Sequence, residues 1–208
     1  MIFFTALVDL VLPPRTSEKL VRGLTLDNLY RLVLSQSGAL PYHDPRVTAL
    51  IWELKYWANR KALALAGEFL GSQVLGIAGE ELGKPLLIPV PMHQKRREKR
   101  GHNQTELLSE AILSALHSLG EVGQPNVVDY VPLALKRIVD TQPQQGLERI
   151  KRLHNVRDSM EGNPHMVEKR ICIVVDDVTT TGATLEEARR ALLHAGARRV
   201  HTITLAQS

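Results

Sequence analysis

The chain has a single cysteine and few aromatic residues, and each shortage limits the structures and functions to be expected. Cys172 is the only cysteine in 208 residues, so an internal disulfide is excluded and a reducing cytoplasm is the simplest compartment to expect. Aromatic residues make up 4% of the chain, which weakens any hypothesis of binding single-stranded nucleic acid by base stacking. Trp52, Tyr56 and Trp57 cluster, and their helical spacing predicts that they lie partly in the core.

Two further absences concern nucleotide-binding loops and membrane segments. No Gly-Lys-Thr or Gly-Lys-Ser sequence is present, which excludes a Walker-type loop, and the three spaced glycines of a dinucleotide fold are missing. Residues 1–12 are apolar but contain Asp9 and are too few to span a bilayer. We expect them to form an amphipathic or core-covering helix, and we expect no membrane contact.

Positive charge is concentrated in two segments. The net charge is +4, yet residues 92–105 carry five Lys or Arg against one Glu, and residues 136–158 carry six against three acids. The rest of the chain is therefore net acidic. Such local concentration predicts a polyanionic ligand rather than a surface that is basic throughout. An apolar content of 44% is ordinary for one large globular domain, or for one domain with an extension.

The most specific signal lies in residues 170–185. Residues 171–175 are apolar and mostly β-branched, which predicts a strand buried on both faces of a parallel sheet. Asp176 and Asp177 follow at once, then a threonine-rich turn with Gly182, then an amphipathic helix. Ligands of open α/β sheets lie outside the carboxyl ends of the strands. This order therefore places the two acids and the hydroxyls in a ligand crevice.

The turn suits a phosphate and the acids suit a sugar. Backbone N–H groups at a helix N-terminus, together with threonine hydroxyls, can surround a phosphate without a lysine, and Gly182 lets the backbone approach it. Asp176 and Asp177 would repel a phosphate but can accept hydrogen bonds from two vicinal ribose hydroxyls. The stretch predicts a ribose 5-phosphate site. The alternatives are a buried strand whose turn only caps the next helix, and another phosphosugar-binding α/β fold.

Elsewhere, strands alternate with helices, which favours a mainly parallel α/β sheet. Helix starts are predicted after Asp44, Asn59 and Asn103. The other predicted strands are residues 85–91, 127–131 and 200–205. Residues 92–102 are predicted to form a basic loop. Residues 135–162 are polar and show little apolar periodicity, which is typical of a functional or mobile segment.

The stretch that ends at Thr184 resembles the phosphoribosyl pyrophosphate (PRPP) motif of type I phosphoribosyltransferases, an apolar strand followed by Asp-Asp-x-x-Thr-Thr-Gly-x-Thr. Three further stretches are similar to the ComF family. They are the Leu54-Lys55-Tyr56 helix, Pro89-Val90-Pro91 with Arg100-Gly101-His102-Asn103-Gln104, and the polar segment 136–156. In the second, His102 replaces the usual aromatic residue. ComF-like proteins are tied to natural competence and DNA uptake, and are often described as amidophosphoribosyltransferase-like.

The resemblance, which spans about residues 42–205, implies the α/β type I phosphoribosyltransferase fold, a mainly parallel central sheet flanked by helices, with a helical N-terminal extension. We expect that extension in residues 1–40 and the phosphoribosyltransferase domain in residues 41–208. Relatives commonly begin with paired Cys-x-x-Cys zinc motifs, but no cysteine precedes Cys172, so a tetrathiolate site is excluded and we expect no zinc. Mg²⁺ bound with PRPP is the implied cofactor, with Asp176 and Asp177 as the protein groups that could contact it.

Carried over to this chain, the family's site falls into three parts, with Asp176 and Asp177 on the ribose hydroxyls. The 5′-phosphate loop would comprise Val178, Thr179, Thr180, Thr181, Gly182, Ala183 and Thr184. Pyrophosphate would be bound by Met92, His93, Lys95 and Arg96. A closing loop would supply the catalytic charges Lys136, Arg137 and Arg149, which would neutralise the departing pyrophosphate while the loop excludes water. Each of these cations could instead be a solvated surface charge.

The function that the resemblance implies is that of an enzyme. A glycosyltransferase of nucleotide metabolism would transfer phosphoribose from PRPP to a small nitrogen nucleophile such as a base or ammonia. The alternative is a non-catalytic PRPP- or nucleotide-sensing module that docks with DNA-processing proteins or single-stranded DNA through the basic segments. Turnover with PRPP separates the two. The acceptor, direct DNA binding and homodimerisation stay open.

Overall fold

The computed structural model describes residues 15–119, 127–139 and 157–208. The helix expected in residues 1–12 and the candidate catalytic residue Arg149 lie outside the described residues. So do the side chains of Arg96, Lys99 and Arg100.

Helices and strands alternate along the described chain. The helices are α1 (Thr16–Gly23), α2 (Leu26–Tyr30), α3 (Pro45–Trp57), α4 (Arg60–Glu80), α5 (Gln94–Arg100), α6 (Gln104–Leu119), α7 (Pro164–Val167) and α8 (Ala183–His194). The strands are β1 (Leu40–Pro41), β2 (Leu86–Pro89), β3 (Asp129–Tyr130), β4 (Leu135–Arg137), β5 (Met160–Gly162), β6 (Ile171–Thr179) and β7 (Arg199–Gln207).

Five strands form one parallel sheet in the order β1-β7-β6-β2-β3. The predicted mainly parallel sheet is thereby confirmed. Strand β6 lies in the middle, and its apolar half is buried on both faces. Ile173 and Val175 pack into the core under α3, α4 and α6, whereas Cys172 and Val174 pack into a second core under α8. Complete burial of each large apolar side chain contributes about 1.5–3 kcal/mol.

Helix α4 packs tightly on α6. At Gly67 a Cβ would lie 2.5 Å from the carbonyl oxygen of Ala111, so only glycine permits this approach. Among the described residues, α4 is the one helix long and apolar enough to cross a membrane by length and composition. Phe69, Leu70 and Val74 of α4 lie fully or almost fully buried in the core, which is the behaviour of a core helix.

A buried carboxylate joins the N-terminal helices to α3. Glu53 is fully buried and accepts hydrogen bonds from Arg15 (3.2 and 3.0 Å), from Ser17 Oγ (2.6 Å) and from Asn59 Nδ2 (2.9 Å). Burial alone would raise the pKa of Glu53, but these hydrogen bonds hold it below its usual value. Residues of α1 and α2 share the core of α3 and α4. The boundary at residue 40 stays a prediction.

Two stretches differ from the expected secondary structure. The basic stretch 92–102 was predicted to be a loop, but most of it forms α5, which Gln94 and Glu98 support by a hydrogen bond of 3.0 Å between successive turns. The polar segment 135–162 was predicted without regular structure, but its two ends pair as the antiparallel strands β4 and β5. Lys136 and Arg137 therefore lie on a strand, not on a loop.

Candidate functional site

The site lies where β2, β6 and β7 end. Asp176 and Asp177 lie near the carboxyl end of β6, as the motif predicts. The strand then continues to Thr179, because Val178 and Thr179 pair with Ala206 and Gln207 of β7. The first two residues assigned to the 5′-phosphate loop are thus part of the strand and not of a loop. Their contact with the phosphate stays a prediction.

Asp176 is the buried member of the acidic pair. It is 8% exposed, and its Oδ1 accepts a hydrogen bond of 2.9 Å from the backbone N–H of Asp177. Burial, with the negative charge of Asp177, raises the pKa of Asp176 to about 7, although the cations Lys55 and Arg137 oppose the rise. A carboxyl group in this position can exchange its proton near neutral pH, so its charge depends on what lies next to it.

Asp177 is held on both sides of its carboxylate. Its Oδ1 accepts a hydrogen bond of 2.7 Å from the backbone N–H of Val178, and its Oδ2 lies 3.2 Å from Lys55 Nζ. The two acids are thus oriented before any ligand arrives. Each carboxylate oxygen can accept more than one hydrogen bond, so ribose hydroxyls can still be accommodated.

Lys55 is a residue of the site for which the sequence analysis predicted no role. It lies in the last turn of α3, where a cation favours the helix dipole, and its side chain is 26% exposed. Burial would lower the pKa of Lys55, but Asp177 and Asp176 raise it above its usual value, so the ammonium stays charged. The backbone carbonyl of Lys55 accepts a hydrogen bond of 3.4 Å from Gln104 Nε2 at the start of α6. The Leu54-Lys55-Tyr56 motif was the one signal that pointed to it.

The turn that is predicted to bind the 5′-phosphate runs through Thr180, Thr181 and Gly182. Gly182 adopts φ +79°, a conformation that favours glycine, and α8 begins immediately after it. The N-cap residue of this helix is Gly182, which has no side chain that could cap it. Thr181 Oγ1, just before it, accepts a hydrogen bond of 3.4 Å from the backbone N–H of Ala183. The first N–H groups of α8 therefore face the same edge as the acidic pair, as an anion site requires.

The candidate pyrophosphate residues are divided between a loop and α5. Met92 and His93 follow β2 after Val90 and Pro91, and His93 caps α5 by accepting a hydrogen bond of 3.4 Å from the backbone N–H of Lys95 at Nδ1. Strand β2 itself pairs with β6. Lys95 lies exposed on α5, and the side chain of Arg96 is outside the described part of the chain. Met92 and His93 are thus the members of this group that lie on the loop beyond the carboxyl end of β2, the strand that pairs with β6.

Arg137 reaches the site from the base of the β4–β5 hairpin. Its Nε donates a hydrogen bond of 3.1 Å to the carbonyl oxygen of Pro91, and its charge lowers the pKa of Asp176. Lys136, next to it on β4, is exposed. Met92, Arg97, Lys136 and Arg137 border a cleft of about 850 Å³ between α5 and the residues that lead into β4. This cleft opens onto the loop that follows β2.

The acidic pair fits a magnesium ion that comes with its ligand. Within residues 15–119, 127–139 and 157–208, no group of three or more His, Cys, Asp and Glu side chains could hold a metal ion. Asp176 and Asp177 offer carboxylate oxygens, which Mg²⁺ prefers, but Lys55 already pairs with one of them. Such a donor set suits an ion whose remaining ligands are substrate phosphates and water. A bound Mg²⁺ would neutralise charge on the pyrophosphate.

A parallel sheet with an acidic pair at the end of its central strand, followed by a threonine-rich turn onto a helix, defines a phosphoribosyltransferase-type site. The family model of the phosphoribosyl transferase domain matches residues 95–208, more than half of the chain. The chain belongs to this family. With the observed strand order, the expected type I phosphoribosyltransferase fold is confirmed.

Two relatives confirm the ComF-like resemblance. The chain is 32% identical to Competence protein F of Haemophilus influenzae over 124 residues, which is 59% of this chain and 50% of that protein. It is 27% identical to the DNA utilization protein YhgH of Salmonella typhi over 169 residues, 80% of this chain and 69% of that protein. The chain thus spans about half the length of Competence protein F.

The chain also matches a solved structure, a glutamine PRPP amidotransferase from B. subtilis complexed with ADP and GMP. The TM-score is 0.42, and the identity is 18% over 74% of this chain and 30% of that one.

Proposed function

We propose that this chain binds PRPP together with Mg²⁺ and transfers its phosphoribosyl group to a nitrogen nucleophile. The observation that supports this most directly is the oriented pair Asp176–Asp177, with Lys55 Nζ 3.2 Å from Asp177 Oδ2, immediately before the turn onto α8. The carboxylates can bind the vicinal hydroxyls of a sugar, and the turn onto α8 can bind its 5′-phosphate. Both lie on one strand-to-helix connection.

Each part of PRPP then has a place in the proposed complex. The ribose hydroxyls donate hydrogen bonds to Asp176 and Asp177. The 5′-phosphate accepts hydrogen bonds from the backbone and hydroxyl groups of residues 180–184. The pyrophosphate lies toward Met92 and His93 with its Mg²⁺, on the side from which Arg137 approaches.

The transfer step breaks the bond between C1 of the ribose and the pyrophosphate oxygen, and the pyrophosphate leaves with the electron pair. The acceptor nitrogen forms a new bond to C1 and loses a proton. Charge develops on the pyrophosphate as it leaves, and Arg137 is the described cation placed to stabilise it. Lys136 and Arg149 remain predicted contributors.

The biological context that we propose is natural competence and DNA utilisation, because the two relatives carry those names. The cytoplasm is the compartment that we propose from the single cysteine. A second function, sensing PRPP or a nucleotide while docked to single-stranded DNA or to a DNA-processing protein, would use the same acidic pair without turnover. The exposed cations Lys95 on α5 and Lys136 on β4 would then contact DNA phosphates.

Calorimetry with PRPP and Mg²⁺ tests the proposal. Asp176→Asn combined with Asp177→Asn should weaken binding at least tenfold, because charge-assisted hydrogen bonds contribute about 1.5–3 kcal/mol each. Asp27→Asn is the matched control, since Asp27 is a surface acid that pairs with Arg31 on α2. Equal affinity in the double variant and the wild type would remove the ribose assignment.

A second assay separates the enzyme from the sensor. Pyrophosphate release is measured with PRPP, Mg²⁺ and a panel of nucleobases and ammonia. Release with any acceptor that is lost in the double variant supports the enzyme. Tight PRPP binding without release from any acceptor would contradict it and favour the sensor.

A further inference from the structure

Two aromatic rings lie exposed on the helix that carries Lys55. The ring centroids of Trp52 and Tyr56 are 4.7 Å apart, and the rings are inclined by 40°. Trp52 is 50% exposed and Tyr56 is 49% exposed. The sequence predicted that these residues lie partly in the core, and about half of each residue is indeed buried while the other half faces solvent. Large apolar surface that stays exposed in this way is typical of a binding site.

The position of this ring pair is fixed by the residues around it on α3. Glu53 and Leu54 are buried and hold one side of the helix against the core. Lys55 lies between the rings in sequence and extends to Asp177, at 3.2 Å. Residues three apart on a helix are neighbours, with about 5–6 Å between their Cβ atoms, so Trp52 borders Lys55 directly. The ring pair therefore lies on the same turns of α3 as Lys55, the residue that reaches the acidic pair.

Trp57 does not extend this surface. The guanidinium carbon of Arg15 lies 3.9 Å from the centroid of its ring, so one face of Trp57 is already covered by a cation. Single-stranded nucleic acid is normally bound by several stacking platforms along a basic groove. A single pair of rings on the helix whose Lys55 reaches Asp177 fits one planar ring better than a strand.

We propose that Trp52 and Tyr56 form a stacking surface for the planar heteroaromatic ring of the acceptor, so that the acceptor is a nucleobase-like nitrogen heterocycle rather than ammonia. This inference rests on the proposed function, because it takes the ribose position from Asp176 and Asp177. It adds the chemical class of the second substrate. It also gives the Leu54-Lys55-Tyr56 motif two roles: the lysine pairs with the acidic pair, and the tyrosine ring contacts the base.

The two tryptophans allow a direct test by fluorescence. The chain contains only Trp52 and Trp57, so Trp57→Phe leaves Trp52 as the single reporter and Trp52→Phe leaves Trp57 as its matched control. Both variants are checked for folding by circular dichroism and thermal melting. Each is then titrated with adenine, hypoxanthine, cytosine, uracil and ammonium chloride, in the presence of ribose 5-phosphate.

We expect at least one base to quench the emission of Trp52 saturably, while Trp57 shows only the loss due to absorption by the base, and ammonium leaves both unchanged. Adding Tyr56→Leu to the Trp57→Phe variant should weaken that base about tenfold, the scale of one lost stacking contact. If no base quenches Trp52, or if every base quenches both reporters equally, the inference is overturned. Quenching of Trp52 by a thymidine oligonucleotide but by no free base would also overturn it, in favour of strand binding.

Calorimetry with ribose 5-phosphate on the Trp57→Phe variant distinguishes this failure from failure of the proposed function. Binding of ribose 5-phosphate without any quenching by bases removes the stacking surface alone. Quenching by a base without binding of ribose 5-phosphate leaves a base site but overturns its assignment as the acceptor site.

Discussion

Arg137 Nε donates a hydrogen bond of 3.1 Å to the carbonyl oxygen of Pro91, and this contact joins the β4–β5 hairpin to the loop that follows β2. Both ends of the contact belong to candidate pyrophosphate elements. The hydrogen bond thus holds the Arg137 guanidinium beside the loop where the pyrophosphate is proposed to lie.

Removing Arg137 should affect transfer more than binding. Arg137→Ala with Lys136→Ala should lower turnover about a hundredfold, the usual scale for one lost electrostatic donor, and change PRPP affinity only severalfold. Because Arg137 reaches Pro91 and Lys136 is exposed, the single variant Arg137→Ala should account for most of the loss. Steady-state kinetics and calorimetry measure the two effects, and Arg31→Ala is a control for loss of a surface arginine. Unchanged turnover in the double variant would rule out a catalytic role for this strand.

Lys55 should contribute to the binding of the ribose and not to the binding of the phosphate. Lys55→Met keeps the length of the side chain but removes the charge beside Asp177, so we expect ribose 5-phosphate to bind about tenfold more weakly. Binding of inorganic phosphate should not change, and Lys55→Arg should restore most of the affinity.

Lys19→Met is the matched control for Lys55→Met, because Lys19 is an exposed lysine of α1. Calorimetry on the four proteins is sufficient. Equal affinities of wild type and Lys55→Met for ribose 5-phosphate would show that the cation does not orient the acidic pair.

The raised pKa of Asp176 predicts a pH-dependent cost to stability. Folding raises this pKa from 3.8 to about 7, so the folded state binds the proton more tightly than the unfolded state. The folded state therefore loses stability relative to the unfolded state as the pH rises through that interval. Asp176→Asn cannot ionise and escapes this loss.

Thermal melting between pH 5 and pH 8 measures this effect. We expect the melting temperature of Asp176→Asn, relative to wild type, to rise with pH over about pH 5–7 and then level off. Asp27→Asn, which removes an exposed carboxylate of α2, is the matched control. A difference that stays constant across the series would mean that Asp176 ionises in the folded protein as it does in the unfolded one.

Folding should not depend on zinc. No cysteine precedes Cys172, which is itself buried in β6, so the thiolate ligands of the relatives' N-terminal motifs are missing. Elemental analysis of the purified protein should find less than stoichiometric zinc, and EDTA should leave the melting temperature unchanged. Unfolding by the chelator would contradict this expectation.

The sequence predicted the parts of the site that depend on local pattern. The alternation from apolar strand to acids to threonine-rich turn needs no information beyond residues 170–185, and the structure places these elements as expected. The end of β6 could not be predicted in this way. Val178 and Thr179 belong to the strand because β7 offers Ala206 and Gln207 as partners, and that pairing is non-local.

The roles of the charged residues Lys55 and Arg137 could not be predicted from the sequence either, because they too depend on non-local contacts. Their types and positions were visible in the sequence, but a lysine or arginine becomes part of a site only through its partner. Lys55 meets Asp177 from a different helix, and Arg137 meets Pro91 from a different sheet. The strand β4 was missed because its three residues, Leu135–Arg137, are too few to show a period of two.

Glu53 and Lys55 lie on one turn of α3. This turn therefore connects the acidic pair Asp176–Asp177 with Arg15 through two contacts between a carboxylate and a cation. Arg15 holds Glu53 from one side, and Lys55 holds Asp177 from the other. The contacts of Arg15 and of Asp177 thus meet on a single turn of α3. The orientation of the acidic pair therefore depends on contacts made outside the central sheet.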